Sequence, residues 1–278
     1  MKIRKATLVF LVFTLLFTLA SCDIKGIVKR YIGEEEETVN KPGLVESVIT
    51  DELDYDVYKS YIEIILYKGE AEEYTVPSAI NGLPVTSVGS YAFYGNETVK
   101  KIILPESVTA VRDNAFYFCK AVEEIYLPNS VESIGTRSFA WCSELKTLIM
   151  PDKVTEIPDY AFNNCAALTE VKLSDETVKI GIRAFSYCES LIRVNIPEKT
   201  TEIKDYAFFK CALLEYVTVP KSVETIGQNI FKECPQLTVI TAEDTACYDY
   251  CIENGYPTEI AISVPADSDT SREETSKY

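Results

Sequence analysis

Six of the nine cysteines share one step: Cys119, Cys142, Cys165, Cys188, Cys211 and Cys234 are each 23 residues apart. Each follows a phenylalanine by three places, as in DYAFNNC (159–165). Thiols in such a series can pair, ligate a metal, react, or fill a core. If the chain repeats in space as it does in sequence, equivalent side chains lie about 4.8 Å apart and parallel. Their Cβ atoms then stay beyond the ~3.5–4.5 Å that a disulfide wants. A straight thiol ladder also cannot close a tetrahedral zinc site. Free cysteine packs as a small hydrophobe, so core filling is the expectation for these six. Cys247 and Cys251, four apart in an expected helix, share a face; packing is the simplest reading, with a disulfide or an accessible pair as the alternative.

Other chemistry is poorly served. The chain has no histidine, which removes the commonest general base and metal ligand. It has no Gly-rich phosphate loop and no nucleophile elbow. Its many carboxylates include no pair set apart for glycoside hydrolysis. DELDYD (51–56) gathers Asp51, Glu52, Asp54 and Asp56, and clustered oxygens suit calcium. The EF-hand spacing fails there, so a solvated acidic stretch ahead of the first repeat is expected. No catalytic residue, metal or cofactor is assigned. The net charge of −16 opposes binding to nucleic acid or to anionic headgroups.

The elements that hold these residues repeat with the same step. Phe93, Phe116, Phe139, Phe162, Phe185, Phe208 and Phe231 form one column, and Asn96 stands in the cysteine column of the first copy. Val88, Val111, Ile134, Ile157, Ile180, Ile203 and Ile226 form another; Val99, Val122, Leu145, Leu168, Leu191, Leu214 and Leu237 a fourth. Pro105, Pro128, Pro151, Pro197 and Pro220 end a short alternating strand in five copies, with Ser174 as the exception. A second short strand follows, and PDYAFNNC suits a helical turn. No copy can bury its own apolar face, so stacked copies must share one core. The expected fold is a β-rich α/β solenoid of seven 23-residue repeats, with short parallel strands and a helical turn in each. That step lies within the leucine-rich-repeat range.

The pattern I-G-x-x-A-F-x-x-C-x-x-L-x-x-V-x-I-P, seen in IGIRAFSYCESLIRVNIP (180–197), resembles the BspA-type leucine-rich repeats of bacterial surface proteins. The stretches IEIILYKG (62–69) and VPSAINGLPVTSVGSYAF (76–93) are similar to that family's opening copy, and DTACYDYCIENGYP (244–257) to its closing helix. The resemblance covers roughly residues 55 to 262. It implies a scaffold that presents varied binding surfaces, with adhesion to host or neighbouring cells as one role.

At the N-terminus, Lys2, Arg4 and Lys5 precede an apolar run from Ala6 to Ala20, which has the size of a signal-peptide centre. Leu19-Ala20-Ser21-Cys22 resembles a bacterial lipobox, which implies lipidation of Cys22 and anchoring to the membrane outside the cytoplasm. The expected division is a lipoprotein signal peptide over 1–21, a lipidated cysteine and acidic linker with EEEE (34–37) over 22–54, the solenoid with its caps over 55–262, and a disordered tail over 263–278.

A binding surface is expected on the strands. The residue between two inward strand positions faces outward, giving the column Ile103, Tyr126, Ile149, Lys172, Asn195, Thr218, Thr241. Two places earlier the column reads Lys101, Glu124, Thr147, Glu170, Arg193, Tyr216, Val239. Ile103, Tyr126 and Ile149 make an apolar run over three copies, and Tyr216 lies farther along. Exposed apolar patches mark interaction sites and tyrosine is a frequent anchor; alternatively these residues only stabilise neighbouring strands. The leading expectation is noncatalytic binding of a cell-surface or host protein, or of a glycan. A structural role in an envelope assembly is the second, and a polysaccharide hydrolase the least favoured.

Overall fold

The structure, a computed structural model, describes residues 41–261. The expected signal peptide, Cys22, the EEEE run and the expected tail over 263–278 lie outside the described residues. Over residues 44–261 the chain is a solenoid of short strands with a cap at each end. Seven coils of 23 residues begin at Gly89, Arg112, Gly135, Pro158, Gly181, Lys204 and Gly227, and are called I to VII below.

Coils I to VI carry two strands each, and coil VII carries one. The first set comprises β7 (Lys101–Ile103), β9 (Glu124–Tyr126), β11 (Thr147–Ile149), β13 (Glu170–Lys172), β15 (Arg193–Asn195), β17 (Tyr216–Thr218) and β19 (Thr238–Thr241). These stack in parallel, flanked by β4 (Glu73–Thr75) at one end and β20 (Thr258–Ile260) at the other, in one nine-stranded sheet, here called the strand face. The second set starts with β8 (Ala110–Val111) and β10 (Ser133–Ile134) in coils I and II. It resumes with β12 (Glu156–Ile157), β14 (Lys179–Ile180), β16 (Glu202–Ile203) and β18 (Thr225–Ile226). This second sheet is interrupted between β10 and β12.

One residue accounts for part of the break. In a parallel ladder the residue after each two-residue strand donates its N–H to the preceding coil: Arg112 to Val88 O (2.9 Å), Gly135 to Val111 O (2.8 Å), Gly181 to Ile157 O (2.8 Å), Lys204 to Ile180 O (3.0 Å) and Gly227 to Ile203 O (2.7 Å). Pro158 holds the equivalent place opposite Ile134 and has no N–H to give.

The third side of each coil is a run of tight turns where the sequence suggested a helical turn. Two residues per coil sit in the left-handed region and stop a helix from propagating. Tyr91, Asn114, Arg137, Tyr160, Arg183, Tyr206 and Asn229 form one such column, and Phe118, Trp141, Asn164, Tyr187, Lys210 and Glu233 the other. Backbone amides there bond the following coil, as Phe162 N–H does to Ala184 O (2.8 Å) and Tyr160 N–H to Ile182 O (2.8 Å).

The phenylalanine column fills the interior. All seven rings are buried and stack along the axis with centroids 5.0 Å (Phe93–Phe116) to 5.8 Å (Phe208–Phe231) apart. Each contributes roughly 1.5–3 kcal/mol by burial. The cap before coil I is larger than the resemblance suggested. Within the stretch read as linker, β1 (Leu44–Val48) and β2 (Leu53–Tyr58) pair antiparallel, and β2 continues to β3 (Ile62–Tyr67). DELDYD is therefore mostly strand. Asp54 and Asp56 are buried, contrary to the solvated reading: Asp54 bonds Lys68 Nζ at 2.7 Å and Asp56 accepts from Ser47 Oγ at 2.5 Å. At the other end α1 (Ala246–Asn254) is capped by the Thr245 side chain and by Gly255 in the left-handed conformation.

Candidate functional site

The described cysteines all lie inside. Cys119, Cys142, Cys165, Cys188, Cys211, Cys234, Cys247 and Cys251 are buried and free. In the six-residue column each thiol also has a polar task that the spacing did not reveal. Its S–H donates to the carbonyl of the phenylalanine 26 residues earlier, at 2.8 Å for Cys119 to Phe93 and 3.2 Å for Cys165 to Phe139. Asn96 Nδ2 donates to Gly69 O (3.1 Å) in the same way in the first copy. Burial pushes the Cys119 thiol up to about 12, so thiolate chemistry is suppressed at neutral pH.

The strand face offers the remaining candidate site. Tyr126 and Ile149 stand out from it at 62% and 68% exposure, while Ile103 beside them is half-buried. The three sit on consecutive coils because β7 pairs β9 with Ile103 opposite Tyr126, and β11 follows. They line a depression of about 640 Å³. Its rim includes Glu106, Asn129 and the Lys101–Glu124 ion pair (3.5 Å). Its floor includes Ile125, Leu127 and Leu148, all inward-facing residues that the outward columns did not anticipate.

The floor is reached because β9 and β11 are joined at one residue pair only, Thr147 opposite Glu124, whereas β7–β9 and β11–β13 pair at three. Tyr216, 41% exposed, is not brought to this depression. It stands three coils beyond Ile149 in the other outward column, opposite Arg193.

The outward columns need one correction. In coil VII the register slips by one residue, so Thr238 pairs with Tyr216 and Ile240 with Thr218. Val239 and Thr241 consequently point inward and are fully buried. The slip follows from the cap. Thr241 packs at the start of α1, its hydroxyl 3.3 Å from that of Thr245, and β20 closes the sheet.

The turn side carries a different surface. Arg137 lies over the Tyr160 ring (4.6 Å) and Arg183 over Tyr206 (4.8 Å). Tyr94 stacks on Tyr117, and Phe118 on Trp141. These rings spend their faces on one another and on cations; Tyr91 is exposed, its ring edge against Tyr94. Among the described residues no group of three or more acidic or cysteine side chains could hold a metal ion, and no helix is long and apolar enough to cross a membrane.

Comparison with known proteins identifies the repeat. The BspA type leucine rich repeat region matches in six copies, over residues 78–179 and 155–263. The fold is similar to the crystal structure of a T. pallidum leucine rich repeat protein: TM-score 0.52, 24% identity, covering 77% of this chain and 98% of that one. It is also similar to a leucine-rich repeat protein from Bacteroides ovatus (TM-score 0.49, 23% identity, 70% of each chain). A third likeness is to a leucine rich cell surface protein from Faecalibacterium prausnitzii (TM-score 0.44, 22% identity, 70% of this chain and 76% of that one). No curated protein matches the sequence.

Proposed function

The chain belongs to the BspA type leucine-rich-repeat family, and from that premise we propose that it is a noncatalytic binding protein, exported and held at the bacterial surface by a lipid on Cys22. The depression over Ile103, Tyr126 and Ile149 is its contact site. One observation carries this reading: two large apolar side chains, more than 60% exposed, stand side by side over an opening between strands of an otherwise continuous sheet. Burying such residues against a partner yields roughly 25 cal/mol per Å², and isolated solubility gives no reason to keep them.

The apolar floor and the ion-paired rim favour a protein partner, whose side chains can enter the gap, over a glycan. The leader and the lipobox resemblance support export and anchoring. Absence of histidine and of set-apart carboxylate pairs supports a role without catalysis.

A binding screen against extracellular-matrix proteins, mucin, cell-wall polysaccharides and envelope extract tests the proposal. A saturable hit should be lost in Tyr126→Ala combined with Ile149→Ser, with the fold intact by circular dichroism. A hit that survives the double substitution places the site elsewhere. Binding confined to envelope extract supports a structural component instead.

A further inference from the structure

We infer that the solenoid is jointed at one place, between coils II and III, and that this joint governs the opening of the strand-face depression. Elsewhere from coil I to coil VI two sheets and a turn side hold consecutive coils together; at VI–VII, where the second sheet ends at β18, the strand face pairs at three positions and α1 packs on β18. At this junction the strand face keeps a single paired position, Glu124 with Thr147. The second sheet keeps none, since β10 and β12 lie in separate sheets. Pro158 removes the hydrogen bond to Ile134 O that its equivalents make in other coils.

The turn side stays fastened. Asn114 N–H reaches Thr136 O (2.9 Å), Phe116 N–H reaches Ser138 O (2.8 Å) and Phe118 N–H reaches Ala140 O (3.0 Å). Asp113 Oδ1 adds a bond from Thr136 N–H at 2.7 Å. Phe116 and Phe139 remain stacked at 5.4 Å. A connection fastened along one side and loosened on two bends about the fastened side. Such a bend spreads or closes β9 against β11, which is where Tyr126 and Ile149 flank the depression.

The next junction with a reduced strand face shows what Pro158 adds. Coils IV and V also share one strand-face pair, Glu170 with Arg193. There Lys204 supplies the N–H that Pro158 lacks, and β14–β16 pairing is intact. Arg112, Pro158 and Lys204 occupy equivalent first positions of coils II, IV and VI. Pro158→Lys is therefore a repair that the chain itself specifies, and Lys204→Pro is the matching lesion.

Two spin-label pairs read the joint without any partner. Glu106→Cys with Asp175→Cys spans coils I to IV across the joint; Asp152→Cys with Lys221→Cys spans coils III to VI beyond it. All four positions are exposed and the eight described cysteines are buried. Both pairs are three coils apart, about 15 Å. The expected result is a wider distance distribution for the first pair, narrowing to that of the second in Pro158→Lys. Lys204→Pro should widen the second pair and leave the first alone. Equal widths in the wild-type chain, or a first pair indifferent to Pro158→Lys, overturn the joint. The effect on binding rests on the proposed function, and the labels report bending whether or not that function holds.

Discussion

Phe162 shows most directly how single residues hold this fold. Its ring is fully buried between Phe139 and Phe185 at 5.2 Å on each side. Phe162→Ala removes it from a stack that cannot collapse, because hydrogen bonds fix the coil spacing, and should cost about 3–5 kcal/mol by denaturant unfolding. The cysteine beside it is a finer test. If Cys165 only fills space, serine and alanine should destabilise alike. Because its S–H serves the Phe139 carbonyl at 3.2 Å, Cys165→Ser should be milder than Cys165→Ala by about 0.5–1.5 kcal/mol. Thiol reagents should leave the eight described cysteines unmodified in the native chain and modify them on unfolding; rapid native labelling would contradict their burial. That these residues are core was legible from their spacing. The carbonyl partner was not, because it lies 26 residues back rather than at the repeat step of 23, and nothing in the period points to it.

At the scale of the coil, the visible period of 23 hides one of 46. Odd coils begin with glycine (Gly89, Gly135, Gly181, Gly227), and even coils carry aspartate second (Asp113, Asp159, Asp205). The two are complementary across the junction. A Cβ on Gly181 would lie 2.6 Å from the backbone nitrogen of Asp159, while Asp159 Oδ1 accepts the N–H of Ile182 at 2.8 Å. Gly181→Ala must push two backbones apart and should cost about 1–3 kcal/mol. Asp159→Ala loses a charge-assisted bond, about 1.5–3 kcal/mol at most. Either substitution proving neutral in a melting experiment would dissolve the pairing. These bridges occur at junctions II–III, IV–V and VI–VII; strand-face pairing is fullest at I–II, III–IV and V–VI, with the slipped VI–VII ladder also full. The alternation stands in the sequence as a Gly/Arg, Gly/Pro, Gly/Lys series, readable only by comparing every second copy. The left-handed turn was less legible: Tyr, Trp and Arg at its strained positions give no local sign of positive φ.

For the whole molecule, seven coils in one register predicted a solenoid with a shared core, and the strand order follows that reading from β4 to β20. The ends escaped it. The cap begins at Leu44 with an antiparallel pair, and the closing helix shifts coil VII by one residue, because caps must satisfy edges that repeats do not have. The apolar run over Ile103, Tyr126 and Ile149 was legible as a column; the opening beneath it was not, since it arises where β9 and β11 part. The central claim is that this opening is where a partner sits. Hydrogen-exchange footprinting of the chain bound to its captured partner tests it most directly. The account predicts protection concentrated in residues 101–106, 124–129 and 147–150, with the turn-side residues 137–141 and 183–187 unchanged. Protection confined to the turn side, with the strand segments exchanging as in the free protein, would contradict it.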